Sequence, residues 1–313
     1  MTRRRTVDAP AKINLTLRVG PRRDDGFHEL ESLVLLVPPC DEVAVEPRDD
    51  GRLTLDCDRR DVPGDERNLA LRAATLLRDV AVDPAERAAR GAHITLVKRI
   101  PPGMGLGGGS SDAAAVLTAL NDLWHIGWPR DRLAAQAAAL GSDVPLFFGG
   151  PLAVISGRGE QVRPLPLRPR GAIVLVLPAL HVSTAAVYAA FDALPLPPAR
   201  PSADALLARV ATGTRAASSG DAAVGRELPL GRLAAELYND LFPAAQRVEP
   251  RLARLHALLA PRCATGLHLT GSGAAVFCIP AREADAESLA DELRERIATE
   301  PEAGGAQVVV ARP

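Results

Sequence analysis

Residues 101–115, PPGMGLGGGSSDAAA, decide the fold and the chemistry of this chain. They follow an apolar alternating run, 92–100, and precede an apolar run with helical spacing, 113–123, so a strand leads through a glycine loop into a helix. Glycines let backbone N–H groups approach an anion with no Cβ in the way, and a helix start adds unpaired N–H donors and positive dipole. Ser110 and Ser111 add hydroxyls and can cap the helix. The segment therefore predicts a phosphate-binding loop.

Common glycine motifs do not account for this loop. Gly103, Gly105 and Gly108 satisfy G-x-G-x-x-G, but a dinucleotide fold needs an acidic residue about 20 positions further on, after a second strand. Here that stretch, 121–140, has a helical pattern. A P-loop needs Gly-Lys-Ser/Thr, which the loop lacks, and the His-Arg-Asp and Asp-Phe-Gly motifs of protein kinases are absent from the sequence. A phosphate site of another type and a ligand-free glycine turn both stay open from the loop alone.

Composition excludes some classes of function. The 313 residues suffice for two domains, and the net charge of −1 without a basic block does not suggest nucleic-acid binding. No apolar stretch is long enough for a membrane span, and the basic start MTRRRTVD lacks the apolar core of a secretory signal, so we expect a cytoplasmic protein. The scattered cysteines, without C-x-x-C, support no disulfide or metal site; they are Cys40, Cys57, Cys263 and Cys278.

Periodicity predicts strands and helices in mixed order. Strands are predicted at 6–19, 30–37, 41–46, 53–56, 92–100, 152–155, 161–165, 173–177, 266–269, 275–279 and 307–311. Helices are predicted at 68–80, 111–124, 130–140, 183–194, 203–211, 233–237, 244–259 and 282–299. The Pro- and Ala-rich stretch 194–232 predicts a long surface loop around the helix at 203–211. The order favours an α+β fold over a doubly wound sheet, with domains at about 1–160 and 161–313.

Three further motif regions stand at characteristic distances from the loop. APAKINLTL begins at Ala9 and is followed by DGFHEL from Asp25, LGSDVPLFF begins at Leu140, and TGSGAAVF begins at Thr270. In this order and spacing the set resembles the GHMP kinase superfamily, which includes galactokinase and the homoserine, mevalonate and phosphomevalonate kinases. The resemblance extends over about residues 7–190 and 236–280.

The resemblance implies a two-domain α+β kinase with its active site in the interdomain cleft, using ATP and Mg²⁺. Lys12 and Asp143 match the family's catalytic pair: Asp143 would accept or orient the proton of the acceptor hydroxyl, and Lys12 would offset the developing negative charge. From the residues alone, an edge lysine and a turn aspartate remain alternatives. The resemblance assigns ATP to the loop residues Pro101, Pro102, Gly103, Met104, Gly105, Leu106, Gly107, Gly108, Gly109, Ser110 and Ser111.

Three of the nucleotide assignments have a second interpretation. Ser111 is a candidate contact of Mg²⁺ or phosphate, but it can also be only a helix cap. Asn68 and Lys98 match positions near the family's adenine site. A helix cap at Asn68 and a strand-end charge at Lys98 also account for these two residues.

The N-terminal motifs most resemble a branch that phosphorylates the 2-hydroxyl of a cytidine-diphosphate methylerythritol in non-mevalonate isoprenoid synthesis. The implied cytosine pocket has Phe27 and Tyr188 stacking on the base and His28 reading its edge. Phe27 stands where the family usually has tyrosine, and Ser142 stands where alanine is usual. Asn14 either bonds the erythritol part or pairs across the sheet. The implied C-terminal glycine loop, which can also be only a tight turn, contains Gly271 and Ser272.

Two rival functions remain. A homoserine or mevalonate kinase would have no base to stack, so the Phe27-His28 pair argues against it. A non-catalytic nucleotide sensor has no need of Lys12 and Asp143 together. The expected partner is a small-molecule substrate, with no nucleic acid and no membrane, and the chain is either a monomer or a homodimer.

Overall fold

The computed structural model describes residues 4–211, 226–300 and 305–313. The chain forms two compact units built from interleaved segments. The first contains the chain up to Lys12 together with Pro39–Pro102 and Gly107–Gly150, and the second contains Ile13–Pro38, Gly103–Leu106 and the chain from Pro151 onward. The predicted domains, about 1–160 and 161–313, meet at a single boundary near residue 160. That boundary stays a prediction.

Strands and helices are mixed along the chain without a regular βαβ repeat, which confirms the predicted α+β class. The strands are β1 (Arg5–Asn14), β2 (Thr16–Arg22), β3 (His28–Arg48), β4 (Leu53–Cys57), β5 (Gly91–Val97), β6 (Leu152–Gly157), β7 (Gln161–Pro164), β8 (Leu167–Arg170), β9 (Ile173–Leu177), β10 (Arg226–Pro229), β11 (Tyr238–Asn239), β12 (His268–Leu269), β13 (Val276–Cys278) and β14 (Gln307–Ala311). The α-helices are α1 (Leu69–Ala81), α2 (Gly108–Leu123), α3 (Arg130–Ala137), α4 (Thr184–Asp192), α5 (Ala203–Ala211), α6 (Phe242–Val248), α7 (Pro250–Leu259) and α8 (Ala286–Ala298).

The core of the first unit combines β3, β4 and β5 with α1 and α2. Residues 42–48 of β3 pair antiparallel with β5, and β5 pairs parallel with β4. The buried residues of β5 alternate along the strand, as the pleat requires for one covered face. The helices α1 and α2 pack against each other. Asn68 caps α1 by accepting a hydrogen bond from the Ala70 N–H at 2.9 Å, which confirms the predicted cap.

The second unit contains a hairpin and an antiparallel sheet. Residues 30–35 of β3 pair with β6, and β6 pairs with β7, which confirms the hairpin predicted from 152 to 165. Strands β12, β13, β9 and β14 are neighbours in that order. All residues of β9 are buried, and α8 packs on β9 and β14. The predicted strands at 173–177 and 307–311 have the bounds observed for β9 and β14.

Two strand predictions were wrong about where strands break. The predicted strand at 6–19 is interrupted at Leu15 and forms β1 and β2. The predicted strands at 30–37 and 41–46 are parts of one continuous strand, β3. Pro38 and Pro39 lie between the stretches of β3 that pair with β6 and with β5, so neither of these two prolines occupies a paired position in the two ladders.

The C-terminal half also departs from the predicted pattern. The helix predicted at 244–259 is divided into α6 and α7, because Pro250 starts a new helix and Glu249 caps it with an extended backbone. The helix predicted at 233–237 is a short 3₁₀ turn at Ala234–Glu236. The sequence pattern missed β8 and β10, which pair in parallel. The predicted surface loop includes residues 212–225, which lie outside the described residues.

Candidate functional site

The predicted phosphate-binding loop, residues 101–111 (below, the phosphate loop), has a backbone that requires glycine at three positions. Gly103, Gly105 and Gly107 have φ values of +73°, +74° and +71°, a region that residues with a Cβ rarely adopt. Gly107 is the N-cap of α2 and accepts the Ser111 N–H at 2.9 Å. The helix therefore begins three residues before the predicted start, and neither serine serves as its cap. The first N–H groups of α2 emerge directly from the loop, as an anion site requires.

Lys12 lies against this loop and is buried. A Cβ on Gly107 would come within 2.9 Å of the Cγ atom of Lys12 and 3.1 Å of the Cζ atom of Phe147. Only 7% of Lys12 is exposed, so the alternative of a solvated edge charge on β1 is wrong. Lys12 and the start of α2 are therefore packed directly together in the first unit.

Asp143 provides the opposite charge for Lys12. Burial lowers the pKa of the Lys12 ammonium below its ordinary range, while the charge of Asp143 acts to raise it. Asp143 precedes the 3₁₀ helix Val144–Phe148 and makes no side-chain cap to it. A capping role therefore does not explain this aspartate. The structure brings together the two residues that the sequence predicts as the catalytic pair.

Ser111 has a buried hydroxyl that the protein leaves unsatisfied. The residue is 1% exposed, and its Oγ atom has no hydrogen-bond partner. A buried hydroxyl without a partner is costly, so the hydrogen-bonding capacity of this atom is left open within the protein. Because Gly107 already occupies the cap position, the helix-cap alternative for Ser111 is wrong, and its contact with Mg²⁺ or phosphate stays a prediction.

Lys98 has protein partners for its charge, and its place near adenine stays a prediction. Its ammonium contacts the carboxylates of Asp41 and Asp112, and the distance to Asp112 Oδ2 is 2.5 Å. Burial acts to lower the pKa of Lys98, but Asp112 and Asp41 outweigh it, so the pKa is raised. Burial raises the pKa of Asp112 to about 7, against the opposing effect of Lys98. The Asp112 Oδ1 atom has no hydrogen-bond partner.

Asn68, the other predicted adenine contact, also has protein partners. Its Oδ1 caps α1, and its Nδ2 donates to the Pro63 carbonyl at 2.7 Å. The helix-cap interpretation therefore describes Asn68 in this structure. Its contact with adenine stays a prediction.

The middle of the phosphate loop belongs to the second unit and packs on the C-terminal glycine loop. A Cβ on Gly105 would lie 2.6 Å from the Thr270 carbonyl oxygen. The Ala275 N–H donates to the Met104 carbonyl at 3.3 Å. A Cβ on Gly103 would lie 3.0 Å from Nδ1 of His181. The two glycine loops that the sequence singled out therefore touch through their backbones.

Asn14 is held by neutral hydrogen bonds. Its Nδ2 donates to the Ser32 hydroxyl at 2.7 Å, and its backbone N–H donates to the Thr270 hydroxyl at 3.0 Å. In the structure Asn14 pairs with other protein groups, which is one of its two predicted alternatives. The contact with an acceptor stays a prediction.

His28 is packed between aromatic rings and two protein oxygens. Its Nδ1 lies 2.9 Å from the Gly20 carbonyl oxygen, and its Nε2 lies 3.2 Å from Oδ1 of Asp192. The ring centroid lies 5.1 Å from that of Tyr188 and 5.7 Å from that of Phe191. A carbonyl can only accept, so Nδ1 carries a proton and the ring is fixed in orientation.

Phe27 is the exposed member of this group. It is 53% exposed, and the Arg158 guanidinium lies 5.0 Å from its ring centroid. An exposed aromatic ring that is not packed in a core is available to stack on a ligand. The structure thus places His28 and Tyr188 in contact and leaves Phe27, the residue before His28, at the surface.

The C-terminal glycine loop is stabilised by two side chains. Asn239 donates to the carbonyl groups of Leu269 and Gly271 at 2.9 and 2.8 Å. The hydroxyls of Ser272 and Thr184 lie 2.8 Å apart. Gly271 has a φ of +57°, in the left-handed region. The loop is therefore held from both β11 and the start of α4.

Several residues of these clusters were missed by the sequence interpretation. Asp112 directly follows Ser111 within the loop motif, which was the available signal for it. Thr270 opens the TGSGAAVF motif, which was the available signal for it. The others are polar residues whose partners are distant in the chain, and no local pattern marks them: Asp41, Asp192 and Asn239. Within the described ranges no group of three His, Cys, Asp or Glu residues could hold a metal ion. No helix in those ranges could span a membrane.

Comparisons with known proteins identify the family to which this fold belongs. The family described as "GHMP kinases N terminal domain" matches residues 68–151, and "GHMP kinases C terminal" matches residues 221–299. The 4-diphosphocytidyl-2-C-methyl-D-erythritol kinase of Thermobifida fusca is 43% identical, covering 92% of this chain and 91% of that protein. The enzyme of the same name from Shouchella clausii is 37% identical, covering 92% and 90%.

A solved structure extends the agreement to three dimensions. The crystal structure of a 4-(cytidine 5'-diphospho)-2C-methyl-D-erythritol kinase is 34% identical, covers 99% of this chain and 100% of that one, and has a TM-score of 0.74. The chain belongs to the GHMP kinases, a family of ATP-dependent phosphotransferases. Family membership confirms the resemblance found in the sequence.

Proposed function

We propose that this kinase transfers the γ-phosphoryl group of ATP to the 2-hydroxyl of 4-diphosphocytidyl-2-C-methyl-D-erythritol, giving the 2-phosphate and ADP in the non-mevalonate isoprenoid pathway. The observation that carries the chemistry is the buried Lys12, which packs on Gly107 and interacts with the charge of Asp143. The names and high coverage of the relatives support the acceptor. The location of the site in an interdomain cleft stays a prediction.

The phosphate loop supplies the ATP site in this proposal. The first N–H groups of α2 and the glycine backbone donate to phosphate oxygens, and the unpartnered Ser111 hydroxyl adds one polar contact. The same hydroxyl fits Mg²⁺ bound with ATP, since that ion takes few protein ligands and keeps phosphate oxygens and waters. When bound, Mg²⁺ supplies positive charge to the phosphate oxygens.

Asp143 and Lys12 act on the attacking hydroxyl. Asp143 accepts the proton of the 2-hydroxyl. The hydroxyl oxygen bonds to the γ-phosphorus of ATP while the bond from that phosphorus to the ADP oxygen breaks. Lys12 stabilises the negative charge that builds up on the attacking oxygen and the γ-phosphoryl group. Because Lys12 is buried, its charge is screened less by water than a surface lysine would be.

The acceptor's base is assigned to the aromatic group of the second unit. Tyr188 and the exposed Phe27 offer stacking faces for a pyrimidine. Recognition of the base edge by His28 stays a prediction, because both of its ring nitrogens face protein oxygens.

The test is ADP release by the purified protein with ATP and Mg²⁺ and one acceptor at a time. The acceptors are 4-diphosphocytidyl-2-C-methyl-D-erythritol, homoserine and mevalonate. We expect release with the cytidine compound alone and its loss in Asp143→Asn. Release with another acceptor would overturn the pocket assignment but keep the ATP site, and nucleotide binding without release would favour a sensor.

A further inference from the structure

Three buried charged residues have no part in the mechanism above, yet they surround the two ends of the phosphate loop. They are Asp41 at 0% exposure, Asp112 at 2%, and Lys98, whose side chain is 4% exposed. Burying charge is costly unless every group is paired, so a buried cluster with a net excess of carboxylates needs an explanation. From the sequence, Lys98 was expected only near adenine, and Asp41 and Asp112 were given no role.

Asp41 holds the entry to the loop. Its Oδ1 accepts the backbone N–H groups of Arg99 and Ile100 at 2.6 and 2.7 Å. Its Oδ2 accepts a hydrogen bond from the Lys98 ammonium. A Cβ on Gly108 would lie 3.4 Å from this same Oδ2, so the carboxylate also lies against the first residue of α2.

Lys98 connects that entry to the exit of the loop. Its ammonium also donates to Asp112 Oδ2 at 2.5 Å, and Asp112 directly follows the unpartnered Ser111 in α2. One ammonium thus fixes both the strand side and the helix side of the loop. Phosphate-binding N–H groups are effective only when held in place before the ligand arrives.

We infer that Asp41, Lys98 and Asp112 form a positioning cluster that holds the phosphate loop in its nucleotide-binding form. The inference rests on the ATP site of the proposed function. These residues act on nucleotide binding by fixing the loop backbone and the Ser111 hydroxyl. Weakening the cluster should therefore change the affinity for ATP more than that for the acceptor.

The experiment compares Asp112→Ala with Asp112→Asn, using a fluorescent ATP analogue for Kd and steady-state kinetics for both substrates. We expect Asp112→Ala to raise the nucleotide Kd and the KM for ATP about tenfold, as for one lost charge-assisted bond. The KM for the acceptor should change less than about twofold. Asp112→Asn keeps an oxygen for Lys98 and should recover most of the affinity. Asp61→Asn, which removes the exposed partner of Arg59, is the control.

Each outcome supports or overturns the positioning role of Asp41, Lys98 and Asp112. A folded Asp112→Ala protein with an unchanged nucleotide Kd overturns the cluster's role. So does one in which the KM values for ATP and for the acceptor rise by the same factor. If Asp112→Ala does not fold, the double variant Lys98→Met with Asp112→Asn removes the link while leaving Asp41 its backbone donors, and normal nucleotide binding there overturns the inference. A wild-type protein that binds no nucleotide overturns the proposed function itself, and the inference with it.

Discussion

The two regions that the proposed reaction uses are built from different interactions. In the first unit, buried charges dominate: Lys12 with Asp143, and Lys98 between two carboxylates. In the second unit, neutral hydrogen bonds and aromatic faces dominate, as at Asn14 and Tyr188. Charges held in a low-dielectric interior act strongly on a phosphoryl group, whereas flat apolar faces suit a base. Substitutions in the first region should therefore change rate or ATP binding, and those in the second should change acceptor affinity.

The largest effect is expected at Asp143. Asp143→Asn should lower kcat by about 10²-fold or more, because the amide cannot accept the hydroxyl proton. Turnover under saturating substrates checks this, with a thermal unfolding curve to establish folding. Asp131→Asn on the exposed start of α3 is the matched control and should be neutral. Near-normal turnover in a folded Asp143→Asn protein would remove the base from the mechanism.

The next effect is expected at Lys12. Lys12→Met should lower kcat by about 10²-fold through the lost electrostatic stabilisation. Because burial lowers the pKa of Lys12 below its ordinary 10.5, with Asp143 opposing, wild-type kcat should fall as pH rises through that lowered pKa. Lys12→Arg stays charged at these pH values, so its profile should lack this alkaline decline. An identical decline in Lys12→Arg would assign it to another group.

The phosphate loop offers a paired glycine test. Gly107 and Gly127 both have a φ of +71°, but a Cβ would meet Lys12 and Phe147 only at Gly107, and nothing within 4 Å at Gly127. Each alanine variant should lose about 1–2 kcal/mol of unfolding free energy from backbone strain. Gly107→Ala alone should also lower kcat/KM for ATP, by about tenfold for about 1.4 kcal/mol of lost transition-state stabilisation. Equal kinetics in the two variants would show that the close packing of Lys12 on the loop is unimportant.

The smallest effect is expected in the aromatic group. Tyr188→Ala should raise the KM of the cytidine acceptor about fivefold, as for about 1 kcal/mol of lost stacking. The KM for ATP should not change. Tyr188→Phe keeps the ring and should behave as wild type. If Tyr188→Phe raises the KM of the cytidine acceptor as much as Tyr188→Ala does, the hydroxyl of Tyr188 rather than its stacking face contributes to binding.

The sequence predicted those features that depend on near neighbours. The Asn68 cap, the buried strand β9 and the loop between β5 and α2 follow from local patterns, and the structure has all three. The start of α2 was missed because a left-handed Gly107 replaces a side-chain cap. Asp41 was missed because its partner Lys98 is 57 residues away in the chain. Burial of a charge depends on such distant partners, and no periodicity records it.

The resemblance supplied the candidate roles, and the structure supplied their surroundings. Lys12 and Asp143 were predicted as a pair from motifs, and in the structure the charge of Asp143 acts to raise the pKa of the buried Lys12. Lys98 was predicted near adenine, but its ammonium lies between two carboxylates, a fact that residue type and spacing do not contain. His28 was predicted to read a base, and the structure adds Gly20 and Asp192 as its neighbours.

The sequence contains only two lysines, Lys12 and Lys98, and both ammonium-bearing side chains are buried beside the phosphate loop. In the folded chain, an amine-selective acylating reagent therefore finds both lysine side chains covered. Slow acylation of Lys12 or Lys98 reports opening of this one region, without an engineered label. Protection of both lysines by bound nucleotide would give a footprint of the site, readable by mass spectrometry on the native sequence.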